Sequence, residues 1–205
     1  MLRPDIDVPD ADKGGAMRSL TRRSFVRHSG LGLLTFWIGG CEVKMTPREA
    51  HEQGADMRVL TSAEVASLEE FGETLLPGSR AAGIANYIDH QLGEPADRQL
   101  LMIKYLGVNP PFVPFYREGV AALGRAARAA HQLDFHELGA ARQRELVSQV
   151  SRENPPGWGD GPPAPFYFFV VRADALDVTY GTMEGFEALG IPYMAHIEPP
   201  GRWGE

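Results

Sequence analysis

The sequence predicts an all-α fold, a small helical bundle-like domain with irregular Pro- and Gly-rich loops that is preceded by a signal peptide. Apolar residues recur at the three- and four-residue spacing of one helix face, and proline and glycine interrupt these stretches at intervals. The chain also shows no internal repeat and no run of alternating apolar and polar strands. These observations favour packed helices over a sheet.

The first predicted helix begins with a Thr-x-x-Glu capping box at 61–64 and ends before Pro77-Gly78. The apolar residues at helical spacing in this segment are Val65, Leu68, Phe71, Leu75 and Leu76. Two shorter helices are predicted to follow, one over 82–92 that ends at Gly93 and one from Glu94 to Gly107.

Three further helices are predicted in the second half of the chain. An alanine-rich helix spans 115–131, and a capping-box pattern at 134–137 starts the next one. Residues 153–165 hold five Pro and three Gly, which predicts a loop. The apolar segment 166–180 is long enough for a helix, although its opening PFYFFVV, taken in isolation, could also form a strand. The tail from Gly181 is predicted to be irregular.

The charge is divided unevenly along the 205 residues. Residues 1–40 carry six Lys/Arg against four Asp, a balance of +2, whereas the remainder carries 14 against 23, a balance of −9. A basic head on an acidic body is typical of a targeting segment joined to a globular domain. It does not favour nucleic-acid binding, which needs a basic surface to displace counterions from phosphates.

The single cysteine, Cys41, excludes several kinds of chemistry. One cysteine cannot form an internal disulfide, a CxxC redox pair or a CxxCH haem site, and it cannot hold an iron–sulfur cluster. The chain also carries no GxGxxG after a strand, no P-loop and no HExxH. We therefore expect no cofactor in this chain.

Residues 21–27, Thr-Arg-Arg-Ser-Phe-Val-Arg, resemble the bacterial twin-arginine export signal, with Arg22, Arg23 and Phe25 at its characteristic positions. The apolar run Leu31 to Ile38 that follows is shorter than the roughly 20 residues of a membrane-spanning helix, as the hydrophobic core of a signal peptide is. The alternative is a buried amphipathic helix that begins with two arginines.

The segment Ile38-Gly39-Gly40-Cys41 resembles a lipobox, in which an aliphatic and two small residues precede a cysteine that takes a lipid. The alternative is a buried free cysteine of the core. We predict a signal peptide over 1–40, a lipidated tether over 41–59 and a helical domain over 60–205. Twin-arginine export carries folded passengers, so the expected location is the periplasmic side of the membrane, anchored by lipid.

No histidine or carboxylate stands out as a catalytic group. His131 and His136 are separated by a predicted helix break, and His90 lies beside Asp89, so none makes the i, i+4 pair with a third ligand that a zinc site needs. Asp89 with Glu94 is interpreted as helix-end solvation or capping, not as an acid/base pair.

The aromatic segment 166–169 is first of all predicted to be core, but four consecutive aromatics cannot all face inward on one helix. Some should form an exposed apolar patch that binds a partner. The predicted partner-binding residues are Trp158, Phe166, Phe168, Phe169 and Tyr180, with Trp203 close to the end of the chain.

Several landmarks together resemble the gluconate 2-dehydrogenase subunit 3 family over about residues 58–190. They are Leu60-Thr61, the helix end Glu73-Thr74-Leu75-Leu76-Pro77-Gly78, the segment 85–92 with Ile88-Asp89, the helix start 135–138, the aromatics 166–169 and Thr182-Met183-Glu184-Gly185-Phe186. The family's Tyr-Gly-Gly-Asn element is replaced here by residues 187–193.

The resemblance implies a non-catalytic small subunit of membrane-bound sugar or alcohol dehydrogenases. Such a subunit binds a large FAD-dependent flavoprotein of the glucose–methanol–choline class and assists its maturation and export, often with a cytochrome c subunit. FAD is expected in the partner. The alternative function is a stand-alone periplasmic lipoprotein that binds a small ligand in a helical pocket.

Overall fold

The computed structural model describes residues 33–191, which form seven α-helices, two short 3₁₀ helices and one two-stranded sheet. The strands are β1 (Leu34–Ile38) and β2 (Cys41–Met45). The α-helices are α1 (Pro47–Glu52), α2 (Ser62–Leu75), α3 (Ile84–Gly93), α4 (Val113–His131), α5 (Ala140–Val150), α6 (Ala164–Tyr180) and α7 (Met183–Ala188). The 3₁₀ helices are Met102–Leu106 and Phe135–Glu137.

The main core lies between α2, α3, α4, α5 and α6. Helix α3 is at its centre, because every residue from Ile84 to Leu92 is buried. The polar side chains on α3 are therefore buried too, and two of them bond to backbone groups of neighbouring loops. Asp89 accepts hydrogen bonds from the N–H groups of residues 58–60, and Gln91 accepts one from Leu100.

The helix ends follow the signals in the sequence. The Thr61 side chain accepts from the Glu64 N–H while the Glu64 carboxylate accepts from the Thr61 N–H at 2.7 Å, so the predicted capping box starts α2. Helices were predicted over 82–92, 115–131 and 166–180, and these predictions are confirmed by α3, α4 and α6. The segment PFYFFVV is helical and not a strand.

The prediction of an all-α fold is confirmed for most of the described chain, but β1 and β2 are an exception. They pair antiparallel through Leu34↔Met45 to Ile38↔Cys41. The turn residues Gly39 and Gly40 have φ values of 56° and 84°. Positive φ at both central residues is what a two-residue type I′ hairpin requires, and glycine adopts it without strain.

Three other segments differ from the sequence-based predictions. Residues 41–59, predicted as a lipidated tether, contain β2 and α1, and α1 packs against α3. Residues 94–107 form turns and a 3₁₀ helix in place of an α-helix. The tail after Gly181 was predicted to be irregular, but Thr182 caps a six-residue helix by accepting from the Gly185 N–H at 3.0 Å.

Side chains explain why residues 94–107 do not form an α-helix. The Gln99 amide donates to the Glu94 carbonyl at 2.8 Å, and the Lys104 ammonium donates to the carbonyls of Asp97 and Gln99. The Met102 N–H donates to Asp174 on α6. Side chains that bond backbone groups in this way compete with the helical pattern.

Candidate functional site

The aromatic segment at the start of α6 distributes its side chains around the helix as the 100° step between residues requires. Tyr167 is fully buried, and its ring stacks on Phe71 with centroids 5.4 Å apart. Phe166 and Phe168 are half-buried on the two borders of the buried stripe, and Phe169 points outward with half of its surface exposed. The segment therefore contributes side chains both to the core and to the surface.

Phe166 and Phe169 belong to a partly exposed aromatic face that also includes the half-buried Phe115 of α4. The rings of Phe115 and Phe166 meet edge to face with centroids 5.6 Å apart. Phe169 follows one turn after Phe166 on α6. We call these three residues the aromatic face.

Trp158 is buried, in contrast to the predicted exposed contact. Its side chain is 1% exposed and its indole N–H donates to the Pro162 carbonyl at 2.8 Å. The Arg125 guanidinium donates to the Trp158 carbonyl at 2.7 Å, so the loop is attached to α4. Trp158 is a core residue in this structure and lies beneath the surface, with its ring centroid 6.1 Å from that of Tyr167.

Tyr180 is half-buried at the last residue of α6, at the opposite end of that helix from the aromatic face. The structure therefore brings Phe166 and Phe169 together and places Tyr180 apart from them. Trp203 lies outside the described residues.

The structure shows a second exposed apolar patch, at residues that we had assigned to the predicted helix 94–107. Leu100, Tyr105 and Leu106 are 47%, 63% and 37% exposed, whereas Leu101 and Ile103 between them are fully buried. The sequence-based prediction of a helix through these residues did not identify any of them as exposed.

A buried carboxyl group, Asp174 of α6, joins three elements of the core. It accepts hydrogen bonds from the Tyr116 hydroxyl at 2.6 Å and from the Met102 N–H at 2.9 Å. Burial raises the pKa of Asp174 to about 7, against the lowering effect of these two donors. Burial likewise raises the pKa of the Tyr116 hydroxyl, helped by the charge of Asp174.

Asp89 has a structural role that the sequence did not reveal. Its carboxylate accepts from the N–H groups of Arg58, Val59 and Leu60 at 2.8, 2.9 and 2.7 Å. Of the two interpretations, helix-end solvation or capping, solvation is corrected for Asp89, because this residue is only 3% exposed. Its carboxylate accepts from backbone N–H groups, as a cap does, and fixes the chain entering α2. Both buried aspartates act within the fold, as hydrogen-bond acceptors that join elements.

The histidines that were considered as metal ligands lie apart. His90 is buried against the Phe36 ring of β1, with centroids 5.2 Å apart, and burial lowers its pKa. His136 lies 3.4 Å from the Ser67 hydroxyl. Within residues 33–191 we find no group of three or more His, Cys, Asp or Glu side chains placed to hold a metal ion.

Cys41, the predicted lipidation site, is exposed and is the first residue after the hairpin turn. The two glycines before it therefore have two interpretations, as the small residues of a lipobox or as the turn of the hairpin. The predicted export residues Arg22, Arg23 and Phe25 lie outside the described residues. Among the helices that the structure describes, none combines the length and apolar character needed to cross a bilayer.

Comparison with known proteins gives one match, to a family model. The model described as gluconate 2-dehydrogenase subunit 3 matches residues 62–196, which cover α2 to α7. No curated protein and no solved structure matches the chain. Because the match spans well over half of the sequence, the chain belongs to the gluconate 2-dehydrogenase subunit 3 family.

Proposed function

We propose that this protein is the non-catalytic small subunit of a periplasm-facing, FAD-dependent sugar or alcohol dehydrogenase. Its partner would be a large flavoprotein of the glucose–methanol–choline class, and a cytochrome c subunit can complete the complex. The observation that carries the proposal is the family match over residues 62–196. The small subunit would assist the maturation, export and membrane attachment of the flavoprotein.

The use of the buried polar groups supports a structural role. Asp89 fixes the entry to α2 through three backbone N–H groups, and Asp174 joins α6 to Tyr116 and Met102. Both carboxyl groups are almost completely buried. Groups committed in this way stabilise the fold. The redox chemistry is assigned to FAD in the partner because the family match implies an accessory subunit of a dehydrogenase.

The aromatic face is the proposed contact with the flavoprotein. Exposed aromatic side chains are enriched at the centres of protein interfaces, where each buries a large apolar area with little loss of side-chain entropy. Phe169 is half exposed and lies one turn after Phe166, whose ring contacts that of Phe115 on α4. Phe168, on the other border of the buried stripe, extends the contact at its edge.

Export and attachment are assigned to the N-terminal region. Arg22, Arg23 and Phe25 would direct the folded complex to the twin-arginine pore, and Cys41 would carry the lipid. The exposed position of Cys41 at the hairpin turn agrees with modification by an enzyme. A lipoprotein with two or more acyl chains is held firmly at a membrane, whereas one chain binds weakly.

Native co-purification of the tagged protein tests the proposal. We expect a yellow flavoprotein to be recovered with it. Phe169→Ala should weaken the complex at least tenfold, since truncation of a central interface aromatic typically costs about 2 kcal/mol. Leu133→Ala is the matched control, because Leu133 is also exposed but follows the far end of α4 from Phe115. Recovery of no flavoprotein would favour the ligand-binding lipoprotein instead.

A further inference from the structure

Residues 34–38 of the apolar run that was predicted as the hydrophobic core of the signal peptide are part of the folded domain. Strand β1 comprises five of the eight residues of this run and pairs with β2 along its whole length. Its other edge is attached as well, because the Trp37 carbonyl accepts from the Asp56 N–H at 2.8 Å. The same residues can therefore either pair within the domain or insert into a membrane.

Side chains of β1 pack in a small hydrophobic cluster that is separate from the main core. Phe36 is 5% exposed and packs with Met45, Ala50 and Ala55, while Leu34 and Ile38 border the cluster. The Phe36 ring also lies against His90 of α3. Part of the apolar surface that a signal peptide offers to the membrane, above all Phe36, is therefore covered by the domain itself.

The paired strand and a membrane-inserted segment exclude each other. In the hydrocarbon core each backbone N–H and C=O must be satisfied within the membrane segment, which leaves the helix as the form for a single chain. In the docked state, residues 34–38 pair with β2 and bond to the Asp56 N–H through the Trp37 carbonyl, so many of these groups are satisfied by the domain. The region consequently has two alternative states, one docked and one released.

The docked state is held less strongly than the main core. Its cluster has four buried residues, and a two-stranded hairpin is marginal by itself. Two buried polar atoms on α3, the Asn86 amide oxygen and His90 Nδ1, have no hydrogen-bond partner among the described residues, and a buried atom left unpaired costs free energy. His90 faces β1, and Asn86 lies one helical turn before it.

We propose that the hairpin 34–45 is a releasable latch, which holds the apolar run of the export signal on the folded domain until the run is transferred to the membrane. This proposal rests on the proposed twin-arginine export. It predicts that fixing β1 to β2 blocks export while the rest of the fold is unchanged.

A reversible cross-link between Thr35 and Lys44 tests the latch. These residues face each other in the register, and counting from the two-residue turn makes them a pair without mutual backbone hydrogen bonds, where Cα atoms are close enough for a disulfide. Lys44 is exposed and Thr35 is half-buried, so replacing them with cysteine leaves the Phe36 cluster unchanged. The variant Thr35→Cys/Lys44→Cys carries Cys41→Ser to remove the native thiol.

The full chain is offered, oxidised or reduced, to inverted membrane vesicles that contain the twin-arginine machinery, and uptake is measured by protease protection. We expect the reduced form to be taken up and the oxidised form to fall at least tenfold. Equal uptake of both forms overturns the latch. The proposed export is wrong if neither the reduced form nor the unsubstituted chain is taken up. It is also wrong if Arg22→Lys/Arg23→Lys leaves uptake unchanged. In both cases the latch proposal, which rests on this export, is wrong too.

Hydrogen exchange gives a test that does not depend on export. In the unprocessed chain, Phe36→Ala should raise the exchange of the β1 amides at least tenfold and leave α4 and α6 unchanged. Val43→Ala is the matched control, because Val43 pairs with Phe36 but is exposed. The same exchange rate in both variants contradicts the idea that the Phe36 cluster holds the strand.

Discussion

The ionisation of Asp174 makes the stability of the protein depend on pH in a way that one substitution should remove. Asp174 is fully buried, and its pKa rises from 3.8 to about 7 in the fold. Between these values the folded chain holds a proton that the unfolded chain has released. The contribution of this group to stability therefore falls as pH rises from about 4 to about 7, and stays low above that.

The structure gives the size of this effect. A pKa difference is worth about 1.4 kcal/mol for each tenfold change in the acid constant, so the full cost of ionising Asp174 is roughly 4 kcal/mol. From about pH 5 to about pH 8 it grows by roughly 2–3 kcal/mol. In Asp174→Asn the new amide oxygen could still accept from the Met102 N–H, and the amide nitrogen could donate to the Tyr116 oxygen.

Urea unfolding followed by circular dichroism measures the effect in the wild type and in Asp174→Asn. We expect the variant to gain stability relative to the wild type by roughly 2–3 kcal/mol between about pH 5 and about pH 8. Other groups with altered pKa values, such as Glu69 and His90, are common to both proteins and cancel in the difference.

Asp177→Asn is the control for this experiment. Asp177 lies on the same helix but is only half-buried, so its effect should be much smaller. A stability difference between wild type and Asp174→Asn that does not change with pH would refute the assignment of a buried, titrating carboxyl group.

Two further substitutions test the packing and the anchor. Gly119→Ala should lower the free energy of unfolding by about 1–3 kcal/mol, because the new Cβ would overlap the buried Tyr167 ring. Thermal unfolding measures this loss. Gly124→Ala on the same helix is the control, because its new Cβ would contact only the Arg128 guanidinium, at 3.5 Å, and should leave stability unchanged or raise it. Equal losses of stability in the two variants would contradict the described packing of Gly119 against Tyr167. Cys41→Ser should move the protein from the membrane to the soluble fraction, or leave it unprocessed. An unmodified Cys41 in the mass spectrum of the mature chain would contradict lipidation.

Local signals in the sequence were sufficient for most helices. The capping box at Thr61 and Glu64 and the helical spacing of apolar residues after it identify α2, because both depend on neighbours within one turn. A second Thr-x-x-Glu pattern, Thr46 to Glu49, caps α1 in the same way. The polarity of the surrounding residues nevertheless favours a tether over a helix in this segment.

The hairpin shows where one pattern allows two interpretations. Gly39-Gly40 between two apolar-rich runs is a recognised hairpin signal, yet the same residues before Cys41 resemble a lipobox. Burial of Phe36 against His90, more than 50 residues later, is what favours the strand. A contact so distant in sequence leaves no local signal.

The roles of the buried acids could not be predicted for a similar reason. Asp174 bonds to Met102 and Tyr116, which precede it by 72 and 58 residues. Which of the aromatics 166–169 face outward depends on where α4 packs against α6. The sequence allowed the inference that some of them are exposed, and the structure identifies Phe169 as the most exposed of the four.

The location of the flavoprotein in cells that carry Arg22→Lys/Arg23→Lys tests the proposed role most directly. If this chain provides the export signal for its partner, the flavoprotein and its bound flavin should remain in the cytoplasmic fraction together with the variant. In cells with the wild-type arginines, both should reach the periplasmic side of the membrane. A flavoprotein that reaches that side at normal levels beside the double-lysine variant would contradict the role of this chain as its export subunit.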